Sequence, residues 1–165
     1  MRVLVVGSGG REHALVRTLL RGATAPEVLA TPGNAGIARD GVECLPSGGV
    51  VECARERGVD LVVVGPEAPL VAGVADAVRD RGISCFGPSR EAAELEGSKA
   101  FAKDVMAAAG VPTAMAHVCT TPEEAAAALD AFGPPYVVKD DGLAAGKGVV
   151  VTDDRDAAVA HAEQC

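Results

Sequence analysis

Short apolar runs alternate in the first part of the chain with segments whose apolar residues recur every three or four positions. RVLVV (2–6) and LVVV (61–64) are apolar on both faces, which is typical of buried parallel strands. Helical spacing in the intervening segments predicts an α/β fold with a doubly wound parallel sheet over about the first 95 residues. Further strands are predicted at 27–30, 42–45 and 83–86, and helices at 11–21, at about 48–57 and from Pro69 onward.

The pattern changes after this region. Ser98 can cap a helix that runs to about Ala109, and Pro122 can begin another. AHVC (116–119) predicts a short strand between them. Two strands then flank a glycine-rich segment, and a final helical pattern follows. This order predicts the beginning of a second domain.

Composition and charge exclude several classes of protein. An apolar content of 48% favours a packed core over disorder, and a net charge of −8 argues against general nucleic-acid binding. No apolar run approaches a membrane span, and the chain begins with a strand pattern rather than a signal peptide. The five cysteines form no C-x-x-C pair, which is typical of a reduced, cytoplasmic protein.

The glycine-rich segment YVVKDDGLAAGKGVVVT (136–152) contains the most specific pattern. It is not a P-loop, because Gly142 to Gly146 is one residue too short and Gly148 replaces the magnesium-binding hydroxyl. Glycines between two strands instead let backbone amides approach phosphate oxygens closely. Lys139 ends the first strand, where it could neutralise a phosphate. The alternative is a hairpin flap with no function.

GSGGREH (7–13) follows the first strand and opens the first helix. A dinucleotide fingerprint needs a third glycine where Glu12 stands, so NAD binding is disfavoured. The amides of Gly9 and Gly10 at a helix N-terminus remain a candidate anion site. A tight turn without a ligand is the alternative.

Two other loops, TPGNAG (31–36) and VGPEAPLV (64–71), should lie at the same edge of the sheet. Asn34 and Glu67 offer polar groups there, and Glu67 could hold an amine or a sugar hydroxyl. It could equally be a carboxylate placed by a helix dipole. Lys99 and Lys103, one turn apart on a helix, would ordinarily be solvated surface.

Several blocks together resemble one family. In order they are MRVLVVGSGGREHAL, TPGNAG, DLVVVGPEAPLVAGV, FGPS, LEGSKAFAKDVM, GVPTA and VVKDDGLAAGKGVVV. They resemble the phosphoribosylamine–glycine ligase (glycinamide ribonucleotide synthetase) family of the ATP-grasp superfamily. The resemblance implies a Rossmann-like pre-ATP-grasp domain at 1–96, a linking helix and strand at 97–122, and the start of an ATP-grasp lid subdomain at 123–165.

The same resemblance implies an activity. Members of the family are carbon–nitrogen ligases that join glycine to 5-phosphoribosylamine through a glycyl phosphate, using ATP and Mg²⁺ or Mn²⁺. No protein nucleophile is needed, and the metal ligands are expected outside these residues, so residues 1–165 alone should be inactive. A cytoplasmic monomer is expected. The alternative is a non-catalytic module that binds nucleotides or sugar phosphates, or a truncated paralogue.

The resemblance also implies roles for individual residues. The positions expected to contact the nucleotide are Lys103, Lys139, Gly142, Ala145, Gly146, Lys147 and Gly148. Those expected to line the phosphoribosylamine side are Gly9, Gly10, Pro32, Gly33, Asn34 and Glu67. One departure is Asp140, which stands where the family usually has alanine and adds a negative charge near an anion site.

Overall fold

The structure of the protein is a computed structural model that describes residues 1–144 and 148–165. The chain divides into two compact units, Met1–Ala93 and Glu94–Cys165. Each unit has its own secondary structure and its own buried apolar residues.

The first unit is a five-stranded sheet in which every pair of neighbouring strands is parallel. The spatial order is β3-β2-β1-β4-β5. The strands are β1 (Arg2–Gly7), β2 (Glu27–Pro32), β3 (Glu43–Cys44), β4 (Leu61–Val64) and β5 (Ser84–Phe86). The helices are α1 (Gly10–Arg21), α2 (Ala35–Arg39), α3 (Val50–Glu56), α4 (Glu67–Val71) and α5 (Val74–Arg79); α6 (Arg90–Gly97) follows β5. The predicted α/β class with a doubly wound parallel sheet is confirmed.

Alternation along the central strand explains why helices cover both faces of this sheet. Leu4 and Val6 belong to one buried cluster, and Val3 and Val5 belong to another. The first cluster includes residues of α3 and α5, and the second includes residues of α1 and α2. Leu4 is fully buried, and burial of one such side chain stabilises a fold by about 1.5–3 kcal/mol.

The helix predicted from Pro69 differs from the one observed. The apolar spacing continues unbroken through this region, but the backbone forms two short helices, α4 and α5. Gly73 separates them with φ +88°, a left-handed conformation that glycine adopts without a steric penalty. Helix α4 also begins at Glu67, two residues earlier than predicted.

The second unit contains α7 (Lys99–Ala108), α8 (Pro122–Phe132), β6 (Tyr136–Lys139), β7 (Val149–Thr152) and α9 (Arg155–Ala162). Strands β6 and β7 pair antiparallel, and Leu129, Tyr136 and Ala158 form the buried cluster beside them. The predicted Ser98 cap is present, since its hydroxyl accepts a hydrogen bond from the Phe101 amide. The strand predicted at 116–119 was wrong: that segment pairs with no described strand, and Val118 is 66% exposed.

Candidate functional site

The carboxyl edge of the first unit's sheet collects three of the predicted loops. Strand order reverses at β1, whose neighbours are β2 on one side and β4 on the other. Ligands of open α/β sheets bind in the crevice at such a switch point. Gly9 and Asn34 precede α1 and α2 after β1 and β2, and Glu67 is the first residue of α4 after β4, so the fold places these predicted residues at one edge.

Asn34 joins the loop after β2 to the loop after β1. Its Oδ1 accepts hydrogen bonds from the amides of Gly36 and Ile37, at 2.8 and 3.0 Å, and so caps α2. Its Nδ2 donates to the carbonyl oxygens of Ser8 and Gly9, at 2.9 and 3.3 Å. Both ends of this side chain are therefore already engaged, and its effect on a ligand would come through the loops it connects.

Glu67 makes an ion pair that the sequence did not predict. Arg11, in the first turn of α1, donates to Glu67 Oε1 from Nη1 and to Oε2 from Nη2, at 2.8 and 3.3 Å. This hydrogen bond and the opposite charge lower the pKa of Glu67 and raise the pKa of Arg11. The Arg11 side chain is 59% exposed, so its guanidinium is also accessible to a ligand.

The Arg11–Glu67 pair should give a measurable pH dependence. Because the pKa of Glu67 is lower in the folded protein, the pair's stabilising contribution is complete above the ordinary glutamate pKa. It is lost as the pH falls through the lowered, folded-state pKa. Replacing Arg11 by alanine should return the pKa of Glu67 towards its ordinary value, which an NMR titration of the Glu67 side chain can measure. An unchanged titration in Arg11→Ala would contradict the assignment.

Glu12 determines the shape of the loop after β1. Its side chain is only 4% exposed, and its Oε2 accepts a hydrogen bond of 2.6 Å from the Gly9 amide. This contact is one half of a capping box at the start of α1. A Cβ added at Gly7 would lie 2.5 Å from Glu12 Cγ, and one at Gly65 would be equally close. The buried Glu12 side chain therefore requires glycine at the end of β1 and directly after β4.

The remaining predicted residues of this edge differ in accessibility. Pro32 ends β2 and is exposed, whereas Gly33 is buried with φ +70°. A Cβ at Gly33 would lie 2.5 Å from Cys44 Sγ, so this glycine is required by packing. Gly10 is the first residue of α1, and a Cβ there would meet no atom within 4 Å. Among Gly9, Gly10 and Gly33, Gly10 therefore has the most free space around it.

In the second unit, the glycine-rich segment is held closed at its base. Lys139, the last residue of β6, lies opposite Val149 of β7, and its side chain is exposed. Beyond it, the Asp140 amide donates a hydrogen bond of 2.7 Å to the Gly148 carbonyl. A Cβ at Gly148 would lie 2.6 Å from that of Ala144 and 2.8 Å from that of Asp140, so only glycine fits.

The start of this segment is attached to α7. The Asp141 carboxylate accepts hydrogen bonds from the Ser98 hydroxyl and the amides of Lys99 and Ala100, at 2.9, 2.5 and 3.1 Å. Partial desolvation raises the pKa of Asp141, but these hydrogen bonds and the Lys99 charge outweigh it and lower the pKa. Lys99 Nζ also donates to the Gly142 carbonyl at 2.8 Å, so Lys99 is more than solvated surface.

The other nucleotide-side predictions fall in two groups. Lys103 Nζ donates to Thr113 Oγ1 at 2.6 Å and to the Ala114 carbonyl, which leaves one of its three protons for a ligand. Ala145, Gly146 and Lys147 lie outside the described residues.

The sequence did not predict a role at these sites for three residues, Arg11, Glu12 and Asp141. The spacing of Gly9 and Glu12 is that of a capping box and could have indicated the second. The contact between Asp141 and Lys99 joins residues 42 positions apart, for which the sequence carries no local signal.

The described residues contain neither a metal-ligand cluster nor a membrane-spanning helix. In the part of the chain that the structure describes, no three histidine, cysteine, aspartate or glutamate side chains are grouped to hold a metal ion. Within residues 1–144 and 148–165, no helix is long and apolar enough to cross a membrane.

Comparison with family models gives a match to each part of the chain. Residues 1–96 match the phosphoribosylglycinamide synthetase N domain, and residues 97–165 match the ATP-grasp (A) domain of the same synthetase. The phosphoribosylamine–glycine ligase of Streptomyces coelicolor is 64% identical over 169 residues, and that of Leifsonia xyli is 59% identical over 167. These alignments cover 100% and 98% of this chain, but only 41% and 40% of the relatives. The chain thus spans about two fifths of the length of these relatives.

Solved structures agree with this match. The phosphoribosylamine–glycine ligase of Thermotoga maritima superposes with a TM-score of 0.80 at 38% identity, covering 97% of this chain and 38% of its own. The biotin carboxylase domain of the Hydrogenobacter thermophilus 2-oxoglutarate carboxylase superposes with a TM-score of 0.78 at 23% identity, covering 99% and 40%. The second likeness shows a shared fold only.

Proposed function

Because this chain belongs to the phosphoribosylglycinamide synthetase family, we propose that it supplies part of a phosphoribosylamine–glycine ligase. The reaction joins the glycine carboxylate to the amine of 5-phosphoribosylamine and converts ATP to ADP and phosphate. ATP phosphorylates the carboxylate to a glycyl phosphate, which the amine then attacks to give glycinamide ribonucleotide. No nucleophile of the protein is required.

The placement of Lys139 carries the nucleotide part of this proposal. Its side chain is exposed at the end of β6, within the glycine-rich segment. The next residue, Asp140, donates the hydrogen bond to Gly148 that closes the base of the loop. Lysine charge and loop amides neutralise the oxygens of a phosphate during transfer. Lys139, Gly142 and Gly148 are accordingly proposed to contact ATP, together with Lys103, Ala145, Gly146 and Lys147.

The carboxyl edge of the first unit supports the sugar-phosphate part. We assign Gly9, Gly10, Pro32, Gly33, Asn34 and Glu67 to the phosphoribosylamine side. Their means of action differ. Gly10 offers an open helix N-terminus, whereas Asn34 holds two loops together. Glu67 acts with Arg11, since the two side chains already share two hydrogen bonds.

Further features of the proposal follow from the family. We place a pre-ATP-grasp domain at 1–96, a linking segment at 97–122 and the start of the ATP-grasp subdomain at 123–165. Mg²⁺ or Mn²⁺ would supply positive charge that stabilises the developing negative charge of phosphoryl transfer. Its ligands are proposed to lie outside these residues. We also propose that the protein is cytoplasmic and monomeric.

Full-length protein should convert ATP, glycine and 5-phosphoribosylamine to ADP, phosphate and glycinamide ribonucleotide in equal amounts. Product is identified by mass, and ADP is measured in reactions that omit one substrate at a time. A polypeptide limited to residues 1–165 is expected to give no product. A non-catalytic module would instead bind ATP or a sugar phosphate without any turnover, and that result from the full-length protein would overturn the proposal.

A further inference from the structure

Two side chains attach the glycine-rich segment to α7. One, Asp141, belongs to the segment and contacts the helix, and the other, Lys99, belongs to the helix and contacts the segment. Asp141 accepts hydrogen bonds from the α7 N-terminus, including those of the Lys99 and Ala100 amides at 2.5 and 3.1 Å. The side chain of Lys99, in α7, extends towards the segment, and its Nζ donates a hydrogen bond to the Gly142 carbonyl at 2.8 Å. The contact therefore holds two consecutive residues, one by its side chain and the other by its backbone.

This attachment is more than the capping of a helix. Ser98 already caps α7 from its own position, since its hydroxyl accepts a hydrogen bond of 3.0 Å from the Phe101 amide. Asp141 approaches from 42 residues away and adds a full negative charge at the positive end of the helix. Such charge-assisted hydrogen bonds are stronger than neutral ones. These hydrogen bonds stabilise the helix and also fix the position of Asp141.

Its position bears on the nucleotide site. Asp141 lies two residues after Lys139 and directly before Gly142, which has φ +113°. Glycine backbones lose the most conformational entropy when they are ordered, and a ligand that must order them binds more weakly. Asp141 and Gly142 are already held against α7, so a ligand that contacts Gly142 need not order these two residues.

We infer that Asp141 and Lys99 are positioning residues that fix the start of the phosphate-binding segment against α7. This inference rests on the proposed function, because it takes ATP as the ligand of that segment. Neither residue needs to touch ATP. They act on affinity by holding Asp141 and Gly142 in place before ATP binds.

The test compares full-length variants by titration with ATP in the absence of glycine, so that no turnover occurs. Asp141→Ala should weaken ATP binding about tenfold, the change produced by 1.4 kcal/mol. Asp141→Asn keeps an oxygen that accepts from the two amides and should retain an intermediate affinity. In steady-state assays, the KM for ATP should rise in Asp141→Ala while the KM for glycine stays unchanged.

Asp154 provides a matched control. Its carboxylate caps α9 by accepting from the Asp156 and Ala157 amides, at 2.9 and 3.3 Å, and so makes the same kind of contact within the same unit. Asp154→Ala should lower thermal stability but leave ATP affinity unchanged. Equal loss of affinity in the two alanine variants, or wild-type affinity in Asp141→Ala, would overturn the positioning role alone. Failure of the wild-type protein to bind ATP would instead overturn the proposed function, and the inference with it.

Discussion

Replacing Lys139 by alanine in the full-length protein is expected to weaken ATP binding about ten- to a hundredfold. The variant would remove the proposed charge-assisted contact to a phosphate, worth roughly 1.5–3 kcal/mol. Lys139 can make this contact because strand pairing holds its backbone, opposite Val149, while its ammonium group stays exposed. Lys139→Arg should restore little, since a planar guanidinium does not replace a compact ammonium group. Isothermal titration with ATP measures both variants.

Arg81→Ala is a suitable control for the loss of one positive charge. Arg81 is exposed in the first unit, and it belongs to neither candidate site. Its removal changes the net charge by the same amount as Lys139→Ala and should leave ATP affinity unchanged. If Lys139→Ala binds ATP as tightly as the wild type does, the assignment of the glycine-rich segment to phosphate binding is wrong.

The second large effect concerns stability. Gly7→Ala should lower the free energy of unfolding of the first unit by about 2–4 kcal/mol, because overpacking and backbone strain add together. The new Cβ would lie 2.5 Å from Glu12 Cγ and 2.9 Å from the Pro66 ring, at φ +130°. Urea denaturation of residues 1–165, followed by circular dichroism, measures the change.

Two companion variants separate these causes. Gly10→Ala, three residues later at the start of α1, adds a Cβ with no atom within 4 Å and should leave stability nearly unchanged. Gly65→Ala places its Cβ closest to Glu12, whose Oε1, Cγ and Cδ would all lie within 2.7 Å, so a second substitution, Glu12→Ala, should recover part of its loss. Gly7→Ala should recover less in the same background, because the Pro66 contact and the positive φ remain. Equal stability of Gly7→Ala and Gly10→Ala would contradict this account.

The apolar pattern predicted the sheet well because burial of the strands on both faces produces that pattern directly. Strands β1 and β4 are buried on both faces, and that burial requires the unbroken apolar runs at 3–6 and 61–64. The helix after Pro69 was less predictable. Leu70, Val74 and Val78 keep a helical spacing across Gly73, and only the backbone conformation shows the interruption.

The sites divide in a similar way. Loops could be assigned to one sheet edge because parallel strands place their carboxyl ends together. Which side chain meets which could not be assigned, since Arg11 and Glu67 lie 56 positions apart and are brought together only by the fold. The residues proposed to contact ATP and phosphoribosylamine remain predictions that the variants above can test.

The bridge that Asn34 makes between two loops has a consequence for the chemical ageing of the protein. Hydrolysis of the side-chain amide would turn Asn34 into aspartate and replace the Nδ2 donor by a charged oxygen. That oxygen would face the carbonyls of Ser8 and Gly9, which lie 2.9 and 3.3 Å from the present nitrogen. Two attractive contacts would become repulsive, while the cap on α2 would survive through Oδ1. Deamidation at this single position would thus weaken the connection between the loops after β1 and β2, while the hydrogen bond from the Gly33 amide to the Gly7 carbonyl would still join the strand ends.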